Sequence, residues 1–216
     1  LGRKLMIDSL TLVKAFYDTA FCKKYGYSVE TLPALFVPNT YDMFWNVSLE
    51  NFMKRMTKEH QAFWNKERTA KADSLKLSKT EVATLASIID EETANNGEKP
   101  MIAGMYLNRL RINMPLQADP TIKFAMKEFK IRRIYNNMLK TESPYNTYIN
   151  TGLPPGPIKI ASIAGIDAVL NYVDHKYLYM CAKEDFSGTH NFAATYREHL
   201  NNAIRYRKAL NKRNIK

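Results

Sequence analysis

No segment constrains this chain more than Ser78-Lys-Thr-Glu81. A serine that accepts a hydrogen bond from the N–H three residues on, where a glutamate reaches back to the serine N–H, is a capping box. Ahead of an apolar run it commits that run to a helix. The pattern predicts a helix from Lys79 to about Asn95, ended by the polar break Asn95, Asn96 and Gly97. At about 3.6 residues per turn, Val82, Leu85, Ile88 and Ile89 share one face, and Glu92 falls about 20° from Leu85, continuing the stripe. By the same geometry Asp90 and Glu91, about 160° and 100° away, are expected on solvated faces. A carboxyl group at the rim of an apolar surface loses hydration in its charged form, so it holds a proton to higher pH, as a general acid must. The plainer reading is a carboxylate in a fraying last turn that caps a neighbour or pairs with a lysine. The residues alone leave both open, although the macrodipole disfavours an idle carboxylate there.

The other elements follow from spacing. Leu5 to Tyr25 places Leu10, Val13, Phe16 and Tyr17 at helical intervals, and Gly26 and Pro33 then interrupt the pattern. Leu35 to Trp45 is dense in aromatics around Pro38 and Asn39, which predicts a turn under apolar side chains, with Tyr41, Phe44 and Trp45 packed. From Ser48, the series Phe52, Met53, Met56, His60 and Phe63 predicts one long amphipathic helix to about Thr69. Pro100 suits a first helical turn, and a second helix should end near Asn113. Gly152-Leu-Pro-Pro-Gly-Pro157 excludes helix and central strand, because its prolines lack backbone donors. It is either a rigid cleft wall or a plain turn. A short helix over Ala161 to Val173, strands at Tyr177 to Ala182 and His190 to Phe192, and a closing helix from about Tyr196 complete an α+β fold: a helical core with a small antiparallel sheet and an N-terminal helical region.

Composition narrows the function class. A chain of 216 residues with 45% hydrophobic content can bury a substantial core without a disulfide or metal. Cys22 and Cys181 lack metal-ligand spacing, so no zinc site is expected, and no cofactor; two small apolar side chains are the simplest reading, with a disulfide left open. No run reaches the roughly 18 apolar residues of a membrane span, and no signal-peptide pattern opens the chain. The chain as given reads as soluble and as a fragment of something longer. The net charge of +11 and pI near 9.5 favour an anionic partner such as a nucleic acid, a membrane surface or a cell-wall polymer. Much of the excess lies at Arg205, Arg207, Lys208, Lys212, Arg213 and Lys216, a pattern common to solvated helix ends. No RNA-recognition motif, helix-turn-helix or zinc finger is present, so no nucleic-acid partner is expected.

Five short motifs in order carry a specific resemblance: Ala86-Ser-Ile-Ile-Asp-Glu-Glu-Thr93, Tyr106-Leu-Asn-Arg-Leu110, Leu116-Gln-Ala-Asp-Pro-Thr121, Tyr145-Asn-Thr-Tyr148 and Gly152-Leu-Pro-Pro-Gly-Pro-Ile158. Together, from about Leu35 to about Leu210, the chain resembles the YceG-like family of endolytic murein transglycosylases. The resemblance puts the catalytic glutamate directly before Thr93, at Glu92, with Asp90 where the family usually has glutamate. It implies a lyase that cleaves the β-1,4 bond between N-acetylmuramic acid and N-acetylglucosamine within peptidoglycan strands, leaving a 1,6-anhydro end. Gln117, Asp119 and Thr121 then become hydrogen-bonding partners for the sugars. Tyr145, Asn146 and Tyr148 become polar tips and stacking faces, although two such tyrosines are also common core aromatics. Asn108 either orients Glu92 or makes a helix contact, and His190 is structural or touches substrate. The resemblance further implies residues 1–74 as a connecting region with the tail of a LysM-like lobe and residues 75–216 as the catalytic domain. A single-pass inner-membrane anchor would lie upstream, the catalytic domain would face the periplasm, and peptidoglycan synthases would be partners. A non-catalytic wall-binding or scaffold module on the same fold is the alternative.

Overall fold

The capping box closes as its spacing predicts. Ser78 Oγ accepts from Glu81 N, and the Glu81 carboxylate accepts from Ser78 N, at the head of a helix over Lys79–Glu92. In the computed structural model, which describes residues 5–131 and 133–213, this helix is α5 of the series α1 (Ser9–Tyr17), α2 (Thr19–Lys24), α3 (Leu49–Phe63), α4 (Lys66–Ser74), α5 (Lys79–Glu92), α6 (Lys99–Arg111), α7 (Asp119–Met126), α8 (Ile163–Leu170) and α9 (Tyr196–Lys212). Short 3₁₀ turns lie at Leu32–Leu35 and Met138–Lys140. Strands β1 (Tyr179–Ala182) and β2 (His190–Ala193) pair antiparallel, Tyr179 opposite Ala193 and Ala182 opposite His190, which makes the fold α+β. Lys216 lies outside the described residues.

Polar residues divide two helices that periodicity alone would draw as continuous. Asp18 leaves helical geometry and its carboxylate accepts from Ala20 N and Phe21 N at 2.7 and 3.1 Å, so α1 ends and α2 begins there. Asn65 does the same for α4, accepting from Arg68 N at 2.9 Å after Trp64 has left α3. An N-cap bond satisfies a donor that a continuing helix would not need to cap, and Asp and Asn are among the best at it. On α1 the inward residue is Leu12; Leu10, Val13 and Tyr17 are exposed, as are Phe44 and Trp45, so the packing expected of Phe44 and Trp45 does not form, while Tyr41 packs as expected. Helix α7, over the Asp-Pro-Thr motif, was not legible as periodicity because only two turns form, with Pro120 in the first.

Apolar side chains gather into two clusters. The larger joins Trp64 and Ala72 to α5, α6 and α8, with Leu116, Ile158 and Ala161 closing it. The smaller surrounds Phe52, Met53 and Met56 of α3 with Cys22, Leu32 and Leu35. Cys22 and Cys181 are both free thiols. Helix α5 is buried almost all round, Val82 through Ile89, because α6, α7 and α8 pack on different sides of it.

That packing corrects the expectation for Asp90. Its side chain is only 4% exposed, pairs with Lys99 Nζ at 2.7 Å and accepts from Ser162 N and Oγ at 2.6 and 2.8 Å. Ser162 caps α8, so the Asp90 carboxylate lies at the positive end of that helix and ties the last turn of α5 to it. A Cβ at Gly165 would stand 2.6 Å from Asp90 Oδ1, so the closest approach of α8 requires glycine. Glu91 is about half exposed and paired with Lys159 at 2.8 Å, as a solvated face requires.

Candidate active site

Glu92 ends α5 at the wall of a cleft of about 230 Å³. The opposite walls come from α6 through Tyr106 and Arg109, from the turn into α7 through Gln117 and Asp119, from Tyr148, and from the sheet through Met180 and His190. The carboxyl is reachable from the cleft but surrounded by protein on its other sides. Tyr106, 1% exposed, donates its hydroxyl to Glu92 Oε1 at 2.8 Å. Burial is the largest influence on Glu92 and raises its pKa from 4.5 to about 7; Asp119 adds to the rise, while the Tyr106 hydrogen bond, Lys123 and Arg109 oppose it. Burial also holds the phenols of Tyr106 and Tyr148 in the protonated form, so both are donors at neutral pH. Tyr148 donates a hydrogen bond from its hydroxyl to Asp119 Oδ1.

The backbone of the cleft is set by local chemistry. Gln117 adopts a left-handed φ of 50°, and its N–H donates to Thr147 O at 3.0 Å, which pins the turn before α7 to the Tyr145–Tyr148 segment. Glu98 is 8% exposed and accepts from His190 N at 2.6 Å and from His190 Nδ1 at 2.9 Å, fixing the first residue of β2 against the start of α6. A carboxylate only accepts, so Nδ1 carries the proton in this pair.

Of the residues expected to form the site, the structure brings Glu92, Gln117, Asp119, Tyr148 and His190 together at the cleft. The other four lie elsewhere. Asn108 does not reach Glu92; its amide donates to His175 O and Tyr177 O at 2.6 and 3.1 Å, tying α6 to the strand approach. Thr121 is fully buried and bonds Ala118 O and Thr147 Oγ1. Asn146, also fully buried, donates to Leu139 O and Thr141 O and accepts from Tyr148 N, so it shapes the turn that presents Tyr148. Tyr145 packs on Phe124, ring centroids 4.6 Å apart. The proline loop 152–157 does not line the cleft; a Cβ at Gly156 would collide with Glu30 O, so it packs against the 28–31 segment.

Tyr106 and Arg109 are the site residues that sequence reasoning overlooked. The signal was their separation of three, which puts both on one face of α6, whereas Asn108 points about 160° from Tyr106. Among the described residues no group of three His, Cys, Asp or Glu side chains is arranged to hold a metal, and no helix is long and apolar enough to cross a membrane.

The model of the YceG-like family matches residues 4–205. Over 194 residues, 87% of this chain and 52% of the relative, the chain is 36% identical to the endolytic murein transglycosylase of Bacillus subtilis (strain 168). It is 34% identical over 113 residues to the endolytic murein transglycosylase of Streptococcus pneumoniae serotype 2 (strain D39), covering 50% of this chain and 20% of that protein. The chain thus spans about half the length of the first relative and a fifth of the second. A crystal structure of a yceG-like protein from Listeria monocytogenes matches with a TM-score of 0.77 at 31% identity, covering 91% of this chain and 68% of that one.

Proposed function

Since the chain belongs to the YceG-like family, we propose that it is the catalytic part of an endolytic murein transglycosylase, a lyase acting within peptidoglycan strands. The observation that carries this reading is the Glu92 carboxyl, held protonated to about pH 7 beside a cleft and aimed by Tyr106. Glu92 gives its proton to the oxygen of the β-1,4 bond as the C1–O bond breaks and oxocarbenium character develops on the muramic acid. The resulting carboxylate takes the proton of that sugar's C6 hydroxyl, and O6 closes on C1 to form the 1,6-anhydro ring. One carboxyl group serves both steps and no water enters the product, unlike the two-carboxylate arrangement of most glycosidases. A nucleophile already inside the substrate gains further from proximity. As part of the same proposal, the activity lies outside the cytoplasm, in a parent protein with a membrane anchor upstream, and works alongside peptidoglycan synthases.

Asp119 favours a second reading. It is the other carboxylate of the cleft, and activation of a water by it would turn the reaction into hydrolysis. Digestion of purified sacculi in ¹⁸O-labelled water separates the two by mass spectrometry. The transglycosylase gives unlabelled anhydro ends, hydrolysis gives labelled reducing ends, and binding without new ends marks a non-catalytic wall module.

The pH profile tests the proton donor separately. Only protonated Glu92 starts the reaction, so kcat/KM is expected to fall as pH rises through about 7. The Tyr106 hydrogen bond lowers the Glu92 pKa, so Tyr106→Phe should move that alkaline limb to higher pH. It should also reduce the plateau rate about five- to tenfold, the worth of one orienting hydrogen bond. An unmoved limb would show that the limb belongs to another group.

A further inference from the structure

Arg109 is 6% exposed and its guanidinium is held on two edges and one face. Nε donates to Leu178 O at 2.6 Å, Nη1 donates to Pro115 O at 3.2 Å and Leu116 O at 2.8 Å, and the Tyr179 ring lies 5.4 Å from the guanidinium carbon. These contacts fix its plane. Nη2 has no hydrogen-bond partner among the described residues, yet it is not sealed in, and the residue forms part of the cleft wall. No carboxylate oxygen of the described residues lies within 4.0 Å of the guanidinium. The contrast with Lys99 is informative, since that cation is equally buried and has Asp90 as its counter-ion.

Backbone carbonyls satisfy N–H groups but do not neutralise a charge, and a desolvated cation without a counter-ion is unfavourable unless something completes it. At neutral pH Glu92, half protonated, supplies only part of a negative charge. A planar cation held in a fixed orientation on the cleft wall, with Nη2 unpartnered among the described residues, suits a carboxylate better than a neutral sugar oxygen. We propose that Arg109 is the carboxylate-recognition point of the cleft, Nη2 donating to an acid group of the glycan strand next to the bond that Glu92 cleaves. This rests on the glycan reading above. Peptidoglycan offers that chemistry from two sources: the lactyl carboxylate of a muramic acid without its peptide, and the free acid groups of an attached stem.

The test uses the full chain carrying Glu92→Gln, which binds without cutting, and calorimetry with a muramic-acid-containing tetrasaccharide. The free lactyl acid should bind roughly tenfold or more tightly than its methyl ester, the scale of one charge-assisted hydrogen bond. A peptide-bearing tetrasaccharide with free or amidated stem acids forms the second arm, and discrimination there instead assigns the stem carboxylate. Because Arg109 also holds three carbonyls, the ester comparison needs no change at Arg109; where an additional Arg109→Gln substitution folds, discrimination should vanish. Equal binding of acid and ester, and of free and amidated stems, overturns the proposal. Binding of none of them sinks the glycan reading, and this proposal with it.

Discussion

Glu92→Gln is expected to lower glycan cleavage by about 10³-fold or more while the protein folds as before, read as released muropeptide ends from sacculi. Glutamine keeps the shape and still accepts from the Tyr106 hydroxyl, but it has no proton to give to a leaving oxygen. The substitution also has a signature in stability. The folded-state pKa of Glu92 lies above its ordinary value, so its contribution to stability is complete below about pH 4.5 and is lost as pH rises toward about 7. Above that pH the native protein carries a poorly hydrated charge that the variant lacks. The variant should therefore unfold at higher denaturant concentration than the parent at pH 8, by up to about 3 kcal/mol, with the gain shrinking toward pH 4. Full activity in the variant would remove Glu92 from the mechanism, and a stability difference independent of pH would remove its pKa shift.

The largest loss of stability is expected at Asp90, two residues away. Asp90→Ala strands the buried Lys99 ammonium and leaves Ser162 N without its acceptor. Breaking a buried pair on one side costs about 3–5 kcal/mol, or roughly 6–20 °C in Tm for a chain of this size. The double variant Asp90→Leu, Lys99→Met should recover much of that, because apolar replacement of a whole buried pair leaves no unmatched charge. If thermal melts place the single variant within a degree or two of the parent, the pair does not hold α5 to α8. Since Asp90 also fixes the turn that carries Glu92, the single variant should lose activity beyond its unfolded fraction, in an assay run well below its Tm.

Where local chemistry dominated, the chain could be read directly. The capping box at Ser78, the proline loop, the two strands and the helix after Thr195 all stand close to where their residues put them, because caps, missing donors and period-two runs act within a few residues. Glu92 was legible for the same reason, as an acid continuing an apolar stripe. Periodicity failed where a local cap competed with it. Asp18 and Asn65 each interrupt a helix whose apolar spacing continues past them.

What only the tertiary structure decided is which face of each element meets the cleft. Asp90 sits opposite the apolar stripe and was expected in water; α8 covers that side and turns it into a buried ion pair. Thr121, Asn146 and Asn108 belong to the motifs that frame the cleft, yet they spend their hydrogen bonds on neighbouring backbone, while Tyr106 bonds Glu92 and Arg109 lines the same cleft. Spacing along one helix fixes the angles between its own side chains, but the direction of the partner helix is set by long-range packing. The sequence by itself thus determined that an acid continues the apolar stripe at the end of α5, and the elements around it; the packing of α6, α7 and α8 about α5 decided that acid's hydration, its hydrogen-bond partner and the cation that shares its cleft.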